Sequence, residues 1–287
     1  MVKVARDWKD YEVIATGDGE KLERWGALTL LRPDPQVIWH AKYPLKNNKQ
    51  INAVYERSSA GGGEWVFKTQ VPATFNIERK GLVFSCKLMG FKHTGLFPEQ
   101  AVNWDIMTNI IANGKGEIKV LNLFAYTGGA TVACAKAGAK VTHVDSAKAM
   151  VDRAKLNCTL SNVKTENVRF IVDDCIKFVK REIKRGNTYD AVIMDPPSYG
   201  RGANGEMWKI EDNLCELVEL CCQVLTQKPL FFLVNSYTTG LQPTVINNIL
   251  KIYLGKYKGE VESYEVALPT NEDILLPCGC SGIFIGK

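Results

Sequence analysis

Four carboxylates stand where apolar runs end: Asp145 after KVTHV, Asp173 and Asp174 after VRFIV, and Asp195 after AVIM. A carboxylate at the tip of a parallel strand is placed to accept hydrogen bonds from both hydroxyls of a ribose. Asp195 belongs to a different device, Asp195-Pro196-Pro197-Ser198-Tyr199. Its two prolines fix the backbone and remove two N–H groups, so carbonyls in the turn can accept hydrogen bonds. With the Asp195 carboxylate they can grip the amino group of a planar base and aim its lone pair at an electrophilic methyl. Tyr199 adds a ring face on which a base flipped from its stack can lie. A rigid turn carrying a solvated Asp has the same sequence.

The element that must position these groups is Ile118–Ala139, IKVLNLFAYTGGATVACAKAGA. Lys119–Phe124 reads as a buried strand, Thr127-Gly128-Gly129 as a tight turn, and Ala130–Ala137 as a helix ended by Gly138. Two glycines there let the backbone approach a ligand, and the free N–H groups of the new helix favour a negative group. The full G-x-G-x-x-G fingerprint is missing, because Ala130-Thr131-Val132 follows the glycine pair. A pyrophosphate wants that fingerprint, whereas S-adenosylmethionine needs only a looser glycine turn.

Strands and helices then alternate. Strands are expected at Lys140–Val144, Val168–Val172, Tyr189–Met194 and Pro229–Val234, and helices at Ala147–Leu160, Ile176–Arg185, Glu206–Leu225 and Thr244–Leu254. Glu262–Ala267 and Ser281–Ile285 leave no room for a helix between them and should pair antiparallel. Such a chain builds a doubly wound sheet whose ligands sit at the carboxyl ends of its strands. The fifth strand brings Asn235-Ser236-Tyr237 to that same edge.

Residues 1–90 have a different texture and are expected to form a small β-rich domain ahead of a catalytic domain at 91–287. Its strand-like runs are Tyr11–Ala15, Ala27–Leu31, Gln36–His40, Trp65–Lys68, Thr74–Arg79 and Leu82–Leu88. Ser58–Gly63, SSAGGG, reads as a flexible connection, and Trp8, Trp25, Trp39 and Trp65 as core. Lys92-His93-Thr94-Gly95 leads into a helix opened by Pro98, with Val102, Ile106 and Ile110 on its apolar stripe. The net charge of +5 admits a nucleic-acid partner without requiring one, since no run of five Lys or Arg occurs. Nine cysteines without a C-x-x-C pair, and only three histidines, argue for reduced thiols and against structural zinc or any other metal. No apolar run reaches membrane-spanning length and the N-terminus lacks a signal-peptide core, so a cytoplasmic protein without a membrane partner is expected.

NLFAYTGG, VDSAKAMVDRAKLN and DPPSYGRG resemble class I S-adenosylmethionine-dependent methyltransferases, and more narrowly the bacterial large-subunit ribosomal RNA methyltransferases. HTGLFPEQ resembles that family's segment before the first sheet strand, and GDGEKLERWG, RPDPQVIW and LPCGCSG extend the likeness along the chain. The RNA-binding PUA module that many relatives carry is not expected in this sequence. The resemblance implies an α/β fold: a Rossmann-like, doubly wound, seven-stranded methyltransferase sheet with a C-terminal antiparallel hairpin, plus the small β-rich N-terminal domain. It implies S-adenosyl-L-methionine as cofactor and ribosomal RNA as substrate. Phe124, Ala125, Thr127, Gly128, Asp145, Ser146, Asp173 and Asp174 become cofactor contacts, with Thr94 and Gln100 near the methionine moiety. Asp195, Pro196 and Tyr199 become catalytic residues on the substrate side, Asp195 also bordering the cofactor.

One departure narrows the chemistry. Relatives that make 5-methylcytosine carry a nucleophilic Cys after the fifth strand, because carbon five is inert until a thiolate adds. This chain has Asn235-Ser236-Tyr237-Thr238 there, which points to a base nitrogen. Cys278 and Cys280, in the final hairpin, are the residues from which a relocated nucleophile would have to come; packed thiols are the plainer reading. Lys92, Arg201 and Lys209 are phosphate contacts or solvated charges alike. An NAD-dependent oxidoreductase and a non-catalytic RNA-binding factor on the same fold remain the rival readings.

Overall fold

The computed structural model describes residues 1–58, 62–90, 92–201 and 207–287. Ser59, Ala60 and Gly61 of the expected flexible tract, Glu206 at the expected helix start and the Arg201 side chain lie outside the described residues. The chain divides into two compact units. One comprises Met1–Lys3, Asn103–Val266 and Gly279–Lys287, the other Val4–Val102 and Ala267–Cys278.

The larger unit is built on a sheet whose neighbours run Val2–Val4, Gly259–Pro269, Leu275–Gly286, Phe231–Ser236, Ala191–Met194, Lys119–Leu123, Lys140–Asp145, Val168–Val172. The strand leading into the glycine turn is therefore central, paired in parallel with Lys140–Asp145 on one side and Ala191–Met194 on the other. Ala191–Met194 and Phe231–Ser236 are buried at every position, as strands covered on both faces must be. Phe231–Ser236 then pairs antiparallel with Leu275–Gly286. This is the expected seven-stranded arrangement, extended by Val2–Val4, a three-residue strand too short for its pattern to be read.

Helices Ala101–Ala112, Gly129–Lys136, Lys148–Leu160, Cys175–Arg185, Ile210–Cys222 and Pro243–Leu254 accompany this sheet. Phe178, Leu217, Phe232, Ile246, Leu250 and Phe284 pack in one core cluster against it. Each such side chain contributes about 1.5–3 kcal/mol by leaving water. Cys175–Arg185 shows how its ends are set: the Asp174 carboxylate caps it by accepting from Lys177 N at 2.8 Å, and Gly186 leaves it at φ +69°.

The expected long helix from Glu206 is corrected by the structure. Met207–Lys209 is a strand paired with Tyr199–Arg201, and the helix begins at Ile210. Tyr199 is extended because it pairs with Lys209 in this hairpin, and Ile210 N closes onto Ser198 O at 3.1 Å.

In the smaller unit a five-stranded sheet runs Tyr11–Gly17, Glu20–Trp25, Leu28–Pro33, Ile51–Arg57, Gly63–Phe67, beside a hairpin of Phe75–Arg79 and Leu82–Cys86. Gln36–His40 is not a strand, and Glu20–Trp25 is one despite its charges. Those charges are partnered. Buried Glu23 accepts two bonds from Arg32, at 2.6 and 2.8 Å, and one from the Tyr11 hydroxyl at 2.7 Å. Among the described residues no helix is long and apolar enough to cross a membrane, and no group of three His, Cys, Asp or Glu could hold a metal.

Candidate cofactor and substrate site

The turn after Lys119–Leu123 carries unusual backbone. Phe124, Tyr126 and Gly128 stand at φ +52°, +49° and +83°. The first two conformations are costly for side-chain-bearing residues, of order 1–3 kcal/mol each, and such strain collects at ligand sites. Gly128 has a second reason to be glycine, since an added Cβ would come within 2.8 Å of the Ala154 Cβ. Helix Gly129–Lys136 starts at Gly128 without a side-chain cap, so its first N–H groups are open to an anionic group. From behind, Asn157 holds the turn by donating to Thr127 O at 2.8 Å. Asn122 donates to Thr131 Oγ1 at 2.9 Å, and Thr131 in turn lies 2.9 Å from Nδ1 of the buried His143.

Asp145 ends the neighbouring strand and ties the turn down. Its Oδ2 accepts from Tyr126 N and its Oδ1 from Ala147 N, both at 2.8 Å. Each oxygen has a second lone pair, so the carboxylate still presents two acceptors, the number a vicinal diol needs. Burial raises the Asp145 carboxyl above its usual range, against the lowering effect of those two N–H groups. Ala125 is buried and its N–H donates to Val144 O at 3.1 Å, while Ser146 is exposed. Asp173 joins the cluster through its N–H, donated to Asp145 O at 3.1 Å, and its carboxylate pairs with Arg181. One oxygen of Asp174 is already committed as the helix cap.

The Asp195 turn lies on the other side of the central strand. Asp195 Oδ1 accepts from Asn235 Nδ2 at 2.8 Å. Pro196 is buried, and its carbonyl is a further acceptor of the turn. Pro197 O already accepts one bond, from Trp208 Nε1 at 2.6 Å. Tyr199 is 49% exposed, as a stacking surface must be. Trp208 also packs on Phe124, with ring centroids 5.3 Å apart, and so joins the glycine turn to the Asp195 turn. Sequence reasoning missed Trp208, having absorbed it into the helix; it stands eleven positions beyond Pro197, and no local signal ties the two together.

Residues 31–227, more than half of the 287-residue chain, match the S-adenosylmethionine-dependent methyltransferases. The chain belongs to that family. A SAM-dependent methyltransferase from Agrobacterium tumefaciens is 31% identical, with a TM-score of 0.94, covering 100% of this chain and 94% of that one. Ribosomal RNA large subunit methyltransferase I of Photobacterium profundum is 33% identical over 174 residues, 60% of this chain and 41% of the relative. Ribosomal RNA large subunit methyltransferase K/L of Shewanella frigidimarina is 33% identical over 143 residues, 49% of this chain and 19% of the relative. The chain thus matches less than half the length of these two curated relatives.

The methyltransferase cofactor fits the groups just described. Asp145 offers the paired acceptors for a ribose, and the uncapped helix start suits the carboxylate of the methionine moiety. Thr94 and Gln100 belong to the smaller unit. There Thr94 is buried, its hydroxyl donating to Leu96 O at 3.5 Å, and Gln100 N donates to Phe97 O at 3.1 Å. Lys92, beside them, donates to Pro33 O at 2.9 Å, and burial lowers its amine to about 8. Lys209 is exposed.

The thiols are held protonated. Cys280 donates to Leu241 O at 3.1 Å and burial pushes its thiol up to about 11. Cys278, in the smaller unit, donates to Leu276 O at 3.4 Å and is raised further by burial. A thiolate nucleophile needs the opposite environment.

Proposed function

We propose that this methyltransferase moves the methyl group of S-adenosylmethionine to a nitrogen of an RNA base, with ribosomal RNA as the substrate class. The observation that carries the reading is the pair of acceptors at the Asp195 turn, the Asp195 carboxylate and the Pro196 carbonyl, beside the exposed Tyr199 ring. An amino group held by two acceptors has its protons directed into the turn and its lone pair turned out of conjugation. Bound cofactor supplies the electrophilic methyl carbon. The chain's own work is to hold nucleophile and methyl in line, a contribution reaching roughly 7–11 kcal/mol in well-oriented reactions. Protonated Cys278 and Cys280 support nitrogen over carbon five.

The names of the two curated relatives support ribosomal RNA. Phe124, Ala125, Thr127, Gly128, Asp145, Ser146, Asp173 and Asp174 form the cofactor side in this reading. Cells with and without the protein are compared by mass spectrometry of their nucleosides. Loss of one N-methylated nucleoside from ribosomal RNA is expected; an unchanged nucleoside profile refutes the RNA assignment.

A further inference from the structure

Behind Asp195 runs a continuous line of hydrogen bonds that the cofactor and substrate contacts do not use. The Tyr264 hydroxyl donates to Asn103 Oδ1 at 2.7 Å. Asn103 Nδ2 donates to Ser281 Oγ at 3.0 Å, and Ser281 Oγ donates to Asn235 Oδ1 at 2.8 Å. Asn235 Nδ2 then donates to Asp195 Oδ1 at 2.8 Å. Tyr264, Asn103, Ser281 and Asn235 are each at most 1% exposed. They come from one helix and three strands, so the line crosses the sheet instead of following the chain.

The direction of the line is fixed by its end. Hydroxyls and amides can reverse, and the reversed line would also satisfy Tyr264, Asn103 and Ser281. It would, however, set Asn235 Oδ1 against the Asp195 carboxylate, acceptor facing acceptor. With Asp195 ionised, only one polarity has every donor meeting an acceptor. Buried lines of this kind are costly when partly satisfied and rigid when complete. At the far end the Lys3 ammonium lies 4.3 Å from the centre of the Tyr264 ring and pairs with Glu262 at 2.9 Å.

We propose that Tyr264, Asn103, Ser281 and Asn235 are positioning residues that act through one another to hold the Asp195 carboxylate in its working orientation. The inference rests on the methyl-transfer reading for its kinetic consequence, though not for its structural one. Asn235→Ala removes the contact itself and should lower kcat roughly tenfold to a hundredfold, the scale of one charge-assisted hydrogen bond. Tyr264→Phe, four hydrogen bonds away, should lower kcat about threefold to tenfold, because Asn103 Oδ1 loses the hydroxyl that donates to it. Ser281→Ala should fall between them, and Ser281→Thr, which keeps the hydroxyl, should restore part of the loss.

The test measures transfer of tritiated methyl from S-adenosylmethionine to total RNA from cells lacking the protein. Cofactor affinity is taken by calorimetry, and the Asn235 side-chain amide resonances by NMR. The expected result is a fall in kcat with unchanged KM for RNA and unchanged cofactor affinity, with the Asn235 amide signals displaced in Tyr264→Phe. Folded Tyr264→Phe and Ser281→Ala with parental kcat and undisplaced Asn235 signals overturn the proposal, even if their melting temperatures fall. Should the parent label no RNA, the RNA reading fails by itself, and the Asn235 signals alone then decide the relay: displaced supports it, undisplaced refutes it.

Discussion

Asp145→Asn is the substitution for which the structure gives the most definite expectation. In the parent, one carboxylate oxygen takes the Tyr126 N–H and the other the Ala147 N–H, both at 2.8 Å. An amide keeps one oxygen and must turn its NH2 toward one of those two donors. The orphaned backbone N–H costs about 1–3 kcal/mol of stability. The same exchange takes one charge-assisted acceptor from the ribose, worth about 1.5–3 kcal/mol, or on the order of ten- to a hundredfold in Kd. The assay is calorimetry of S-adenosylhomocysteine binding to parent and variant at one temperature below both unfolding transitions, with thermal unfolding run in parallel. A folded Asp145→Asn variant that binds within twofold of the parent refutes the assignment of Asp145 to the ribose. Tighter binding of NAD than of S-adenosylhomocysteine by the parent refutes the reading of the whole turn.

Other expectations follow from the same geometry. Asp195→Ala should abolish methyl transfer while cofactor affinity, read by the same calorimetry, stays within a few-fold of the parent; Asp195→Asn should retain more turnover, since its carbonyl still accepts. His143 is buried and lowered to about 3 by burial and by Lys155, whereas the unfolded chain takes up that proton near pH 6.5. Its contribution to stability is therefore complete above about pH 6.5 and is lost as pH falls toward 3; urea unfolding across that window should show the slope, and His143→Gln should flatten it. RNA containing 5-fluorocytosine should not be trapped covalently, and Cys278→Ser and Cys280→Ser should each keep most of the activity. A shifted band on a denaturing gel that disappears in Cys278→Ser would make this a carbon methyltransferase.

The sheet was legible because its signals are local. A buried parallel strand is an apolar run, and the runs ending at Asp145, Asp173, Asp195 and Asn235 stop at polar residues that the chain's alternation places on one edge. The glycine turn and the prolines after Asp195 announce themselves by what they forbid to the backbone. What the sequence hid was non-local. Glu20–Trp25 carries charges whose partners lie on other segments, Arg32 for Glu23, Asp34 for Lys21 and Glu12 for Arg24, so its pattern reads as solvated. Trp208 reads as the start of a helix until its indole is seen on Pro197. Asn103 and Ser281 are 178 positions apart, and no spacing rule connects them.

The order of strands in the large sheet also bears on how the protein is made. Phe231–Ser236, buried at all its positions, pairs with Ala191–Met194 on one side and on the other with Leu275–Gly286, a strand made some forty residues later. As the chain leaves the ribosome, the strands through Phe231–Ser236 are complete while that second edge has no partner. For that interval the nascent chain shows a row of open N–H and C=O groups on a largely apolar strand, the kind of edge along which incomplete sheets add to one another. Slowing translation across residues 237–274 should raise the aggregated fraction, and an excess of chaperone should lower it.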